Sequence, residues 1–225
     1  MKINDDFNQS YLLDSDQYQW IASPQTGIER VMLDRIGHEK ARATSIVRYA
    51  PQSFFPEHSH PNGEEIFVLE GVFTEDKIDY PAGYYLRNPH GSSHSPSSQD
   101  GALIFVKLRQ MDQEDQAFVR INTNLRDCWH TMNIAGQSNP VKVCPLFKND
   151  HENVALYLFE NNHFIETESD CYTEILIIEG ALCCDQVIYP EKSWMRLAKG
   201  SNKTLFCVND RVKIYMKTLK YQINL

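Results

Sequence analysis

The chain is written twice, and that duplication restricts its fold more than any other feature. At an offset of 109 residues Trp20 falls on Trp129, Gly27 on Gly136, Phe55 on Phe164 and Glu57 on Glu166. The run EIFVLEG (65–71) falls on EILIIEG (174–180), with Glu65, Ile66, Glu70 and Gly71 repeated. Asp76 then matches Asp185, Tyr80-Pro81 matches Tyr189-Pro190, Arg87 matches Arg196, and Gly91-Ser92 matches Gly200-Ser201. Small gaps are needed near 28–43 and after 100. Agreement sustained over about 70 residues indicates two copies of one domain. With 225 residues, each copy has enough chain to bury its own core.

Each copy reads as all-β. Runs such as ATSIVRYA, EEIFVLEGVF, GYYLRN and ALIFVKL are rich in β-branched and aromatic residues and are separated by Gly, Pro, Asn, Asp and Ser. Many short antiparallel strands in about 100 residues make a sandwich, barrel or jelly roll. The expected domains are 1–117 and 118–225, with a polar, acidic linker from Gln110 to about Asn124. QEDQAFVR near 113–120 has the composition of a short helix.

Against this shared scaffold, the candidate ligands do not repeat. The stretch HSHPNGEE (58–65) places two histidines one residue apart, turns at Pro61-Asn62-Gly63, and then supplies carboxylates. On a strand His58 and His60 share a face, and the turn lets the chain return with Glu64 beside them. The second copy has Thr167, Ser169 and Thr173 at these positions, and Lys203 opposite His94. The fold therefore does not require the polar set, which favours ligation over the alternative of surface polar residues around a turn. Three imidazoles and a carboxylate suit Zn²⁺, Fe²⁺, Mn²⁺, Ni²⁺ or Cu²⁺. Glu65 and Arg87, which recur as Glu174 and Arg196, read as scaffold. His90 reads as a turn residue, and Arg48, Tyr84, Tyr85 and Lys107 as packing, surface or barrel-lining groups.

Composition narrows the partners. A net charge of −8 with no basic stripe argues against nucleic acid and anionic membranes. No apolar run approaches the roughly 20 residues of a spanning helix. The polar start MKINDDFNQS lacks the apolar core of a signal peptide, so a cytoplasmic location is expected. Six cysteines, all from Cys128 onward and without CxxC spacing, read as free thiols, with a redox role for the adjacent Cys183-Cys184 pair the lesser reading.

The spacings resemble the cupin superfamily. Its first motif has two histidines separated by one residue, then a glutamate, then a glycine, met here by His58, His60, Glu64 and Gly71. Its second is met by Gly83, Pro89-His90-Gly91 and His94, although the usual closing asparagine is Ser98 here. The stretches HSHPNGEEIFVLEGVFTED and YPAGYYLRNPHGSSHSP look like the cupin domain of the anti-sigma factor ChrR and its relatives. That resemblance implies a pair of double-stranded β-helix jelly rolls, a metal inside the first barrel, and zinc on His58, His60, Glu64 and His94. Some relatives are metal-dependent dioxygenases that cleave carbon–carbon bonds in diketone-like or aromatic ketone substrates. Residues 1–19 do not resemble the helical sigma-binding domain of ChrR and contain neither Cys nor His, so no recognisable sigma-factor-binding domain is expected.

Two functions are therefore expected. One is a zinc-holding bicupin that senses oxidative stress or binds a small molecule. The other is a mononuclear dioxygenase with Fe²⁺, Mn²⁺ or Ni²⁺ and Glu64 as base. The second copy is expected to bind no metal, and exposed sheet edges allow a homodimer.

Overall fold

The computed structural model describes residues 1–38, 40–134, 139–160, 163–167 and 170–221. Among these, regular structure is all β apart from two three-residue 3₁₀ turns, Ser15–Gln17 and Arg126–Cys128. The expected helix at 113–120 is absent. Its N-terminal part is turn and loop, and Val119–Asn122 is a strand. Asp112 and Asp115 explain this, because each accepts a backbone N–H two residues on, which favours turns over a helix.

Two compact units are present. The first comprises Met1–Asp5 and Gln19–Asn124; the second comprises Asp6–Tyr18 and the described residues between 125 and 221. These limits differ from a cut at 117/118 in two places, and each has a visible cause. Val119–Asn122 lies in the supposed linker, yet it pairs antiparallel with Tyr84–Asn88 and ends the main sheet of the first unit. Tyr11–Leu13, near the start of the chain, pairs with Trp194–Leu197 and ends the corresponding sheet of the second unit. Equivalent edge positions are thus filled from sequence-distant segments, which a repeat alignment does not reveal.

In the first unit the antiparallel order is Lys2–Ile3, Ile28–Ile36, Arg42–Tyr49, Ala102–Leu108, Glu64–Glu75, Tyr84–Asn88, Val119–Asn122. The twelve-residue strand Glu64–Glu75 is long enough to serve two sheets. Its first half pairs with Ala102–Leu108, and its second half turns back on Ile78–Pro81. Gly71 marks the bend: at φ +69° a Cβ there would lie 2.0 Å from Gly101 O, so only glycine fits. The repeat places Gly180 at the equivalent bend, with φ +81° and Arg211 O 2.6 Å from a notional Cβ. Gly136 and Ser169 of the repeat fall outside the described residues.

The second unit repeats the plan with Val141–Lys148, Glu152–Glu160, Arg211–Leu219, Tyr172–Glu179 and Trp194–Leu197 as its central strands. The duplication extends to a buried charged trio. In the first unit Glu65 stands between Arg87 and Lys107 on adjacent strands; in the second, Glu174 stands between Arg196 and Lys217. All six are buried. Arg87 Nη1 donates to Glu65 Oε2 at 3.4 Å, and Lys217 Nζ sits 2.5 Å from Glu152 Oε2. The scaffold role expected for Glu65 and Arg87 fits this arrangement.

Candidate metal centre and its cavity

The turn after His60 forms because Gly63 accepts φ +74° and because Gly63 N–H closes onto His60 O at 3.1 Å. Strand pairing then sets His58 opposite His94 and Glu64 opposite Asn88. His58, His60, Glu64 and His94 converge, with ligand atoms all within 4.8 Å of one another. His60, Glu64 and His94 are buried and His58 is the most exposed. His60 Nε2 and His94 Nε2 each lie 3.4 Å from Glu64 Oε2.

The hydrogen bonds fix which ring nitrogen faces inward. His58 Nδ1 meets Pro56 O at 2.9 Å, and a carbonyl only accepts, so that nitrogen carries the proton. Ser92 Oγ donates to Pro89 O at 2.7 Å, which leaves it to accept from His60 Nδ1 at 3.0 Å. His94 Nδ1 donates to Glu75 Oε1 at 2.7 Å. Each ring thereby keeps its Nε2 lone pair free of a proton, and those of His60 and His94 face Glu64. The buried Nε2 atoms of His60 and His94 have no hydrogen-bond partner, an arrangement costly in itself that a cation at the centre would relieve. Neutral imidazoles whose other N–H is tied to a carbonyl, hydroxyl or carboxylate are the usual outer support of a metal site. The three histidines and one glutamate can hold a divalent ion.

The electrostatics follow the same division. Burial pushes the His60 imidazole below its usual range, against the opposing pull of Glu64, and so keeps it neutral. Burial also pulls on His94, but its hydrogen bond to Glu75 and the charges of Glu64 and Glu75 win, and its pKa is raised. Burial would raise Glu75, yet the bonds to His94 and Arg120 hold it below the usual carboxylate range.

Arg120 joins these supports. Its Nη2 donates to Glu75 Oε2 and to Asn88 Oδ1, both at 2.6 Å, and Asn88 Nδ2 donates to Glu64 Oε2 at 3.1 Å. One guanidinium thus steadies both the partner of His94 and the partner of Glu64. Sequence reasoning missed Glu75, Asn88 and Arg120, although the repeat carries a signal for two of them. Glu75 falls on Cys184 and Asn88 on Leu197, while their neighbours Asp76 and Arg87 are repeated unchanged. Cys184 and Leu197 lie in the apolar core of the second unit. There Thr173, opposite Leu197, has its buried hydroxyl without a partner, and Thr167 bonds the backbone of Lys203.

Other expectations resolve individually. His90 Nδ1 accepts from Asn62 N–H at 2.9 Å, a turn contact. Ser98 Oγ donates to Val72 O at 2.7 Å and takes no part in the cluster. Lys107 alternates away from the cavity-lining Val106 and Leu108, and Arg48 is an exposed partner of Glu29. Neither lines the barrel. No disulfide joins any of the six cysteines.

A cavity of about 880 Å³ opens on the cluster. Ile28, Val47, Ile66, Phe73, Ile104 and Val106 give it apolar walls, and Tyr49 adds a hydroxyl held above its usual pKa by burial and by Glu64. Its size is that of a small-molecule pocket. Among the described residues no helix is long and apolar enough to cross a membrane.

Comparison with known proteins agrees with this construction. Residues 8–112 match the family model of the ChrR cupin-like domain. A candidate dioxygenase from Nostoc punctiforme superposes with a TM-score of 0.77 at 15% identity, covering 94% of this chain and 82% of the other. A nickel(II) complex of the bacterial pirin from Escherichia coli gives 0.65 at 12% identity over 94% and 99%. At such identities these likenesses speak to fold alone. No curated protein sequence matches the chain. The chain has the fold of these structures in two units, and residues 8–112 of it match the ChrR cupin-like domain.

Proposed function

We propose that the first unit holds one divalent ion, zinc in the cell, on His58, His60, Glu64 and His94, and that the protein uses it to capture a small organic molecule as a sensing or binding module. The observation that carries this is the cavity wall itself, where the ligand set faces an apolar space large enough for a small organic molecule. When bound, the ion supplies a Lewis-acidic centre for an oxygen of the guest. The chain's own groups do the rest. The walls exclude water, Tyr49 offers an O–H to a polar atom, and Arg120 keeps Glu64 and His94 in place through Asn88 and Glu75.

A dioxygenase acting on diketone-like or aromatic ketone substrates is the second reading, favoured by the setting of Glu64. Its described hydrogen bond comes from Asn88 to Oε2, which leaves Oε1 able to take a proton from a guest. Oxygen consumption with acetylacetone or acetophenone derivatives, after anaerobic loading with Fe²⁺, separates the two. Metal-dependent binding without uptake supports the binding module. Uptake that vanishes in Glu64→Gln supports the enzyme. Absence of both guest binding and uptake overturns both readings.

A further inference from the structure

The cavity carries a second polar feature, remote from the ligand set. Arg30 lines it from the strand Ile28–Ile36, on the same face as Ile28. Its Nε is fully buried and has no hydrogen-bond partner, and among the described residues its guanidinium makes no ion pair. Arg30 as a whole is half-buried, whereas the buried arginines are paired, Arg42 with Asp34 and Gln110 and Arg87 with Glu65 and Asp115. A buried Nε–H without a partner, on a guanidinium at the cavity wall, leaves a donor for an anion.

Charge around the cavity agrees. Arg30, Arg35, Lys40 and Arg109 line it against two carboxylates, Glu57 and Glu64, in a chain of net charge −8. Glu64 belongs to the ligand set, so a bound ion would consume its charge. Register sets Arg30 opposite Val47, Val47 opposite Ile104, and Ile104 opposite Val68. Val68 is four residues from Glu64 on the same face, about 13 Å along the strand. Arg30 and the ligand set therefore flank the cavity with room for a molecule between them.

We infer that the cavity takes an organic acid, whose carboxylate pairs with Arg30 while its other end reaches the His58, His60, Glu64 and His94 cluster. This rests on the capture of a small molecule proposed above and names its chemical class. A guanidinium binds a carboxylate through two parallel hydrogen bonds, and burial of Nε strengthens them by excluding water.

The test compares phenylpyruvate with phenylacetone, its analogue lacking the carboxylate, by calorimetric titration of the metal-loaded protein. The expected result is at least tenfold tighter binding of the acid. Arg30→Met should reduce that preference below threefold with phenylacetone affinity and metal content unchanged, and Arg30→Lys should keep part of it. Equal affinity in the wild type, no binding of phenylpyruvate, or a preference that survives Arg30→Met would each overturn the inference. Metal analysis of the same samples separates the two readings. A metal-free protein that prefers the acid through Arg30 defeats the metal centre alone, whereas a loaded protein without the preference defeats this inference alone.

Discussion

His94 donates its Nδ1–H to Glu75 across 2.7 Å, and Arg120 holds the opposite oxygen of the same carboxylate at 2.6 Å. The chain thereby fixes the tautomer of His94 from a strand, Val119–Asn122, lying 25 or more residues further on. Removing this support should weaken metal binding without removing a ligand. Glu75→Ala and Arg120→Met are each expected to lower metal affinity about 10- to 100-fold. Competition against a chromogenic chelator measures it, and unchanged affinity in both variants would contradict the account.

The raised pKa of His94 gives a pH signature. In the metal-free protein the folded state holds that proton more tightly than the unfolded one. Its contribution to stability is therefore complete below the ordinary value of 6.5 and is lost as pH rises through the raised folded value. A metal must displace the same proton, so its affinity should begin to fall, on acidification, above pH 6.5. Glu75→Gln removes the charge that raises His94 and should move this onset to lower pH. Thermal unfolding of metal-loaded and metal-free protein between pH 5.5 and 8.5 reads it, and an onset that does not move would count against the assigned cause.

The metal-ligand candidates were legible in the sequence because duplication supplies an internal control. Glu65, Arg87 and Gly71 recur where geometry needs them, whereas His58, His60, Glu64 and His94 do not. The same comparison marks Glu75 and Asn88, which become Cys184 and Leu197, but neither sits in a recognisable ligand spacing. Arg120 and Arg30 were illegible for another reason. Arg120 lies in a segment polar enough to pass for a linker, and its partners are 32 and 45 residues away. The significance of Arg30 is that it lacks a partner, which only the packed barrel shows. The unit boundaries were misplaced because Tyr11–Leu13 and Val119–Asn122 are short edge strands whose pairing is non-local.

The buried trio of each unit should respond to loss of its central carboxylate. Glu65→Gln leaves Arg87 and Lys107 buried with less compensation, and Glu174→Gln does the same to Arg196 and Lys217. A cost of about 3–5 kcal/mol is expected for each, read as a lower urea midpoint of the metal-free protein. A loss below about 1 kcal/mol in both would show that the remaining partners, Asp115 and Glu152, suffice.

The cysteines should behave as packing residues. Burial pushes the thiols of Cys144 and Cys207 up to about 12, leaving little thiolate at pH 8. Both should resist alkylation in the folded protein and react on unfolding, as mass spectrometry of iodoacetamide-treated samples will show. Rapid native labelling of either would contradict their placement.

The central claim is that the first unit alone holds a metal. Elemental analysis of purified protein, beside His60→Ala and Glu64→Gln, tests it most directly. The account predicts one divalent ion per chain in the wild type, lost or much reduced in both variants while strand content by circular dichroism persists. No ion in the wild type after reconstitution, or two per chain, would contradict it.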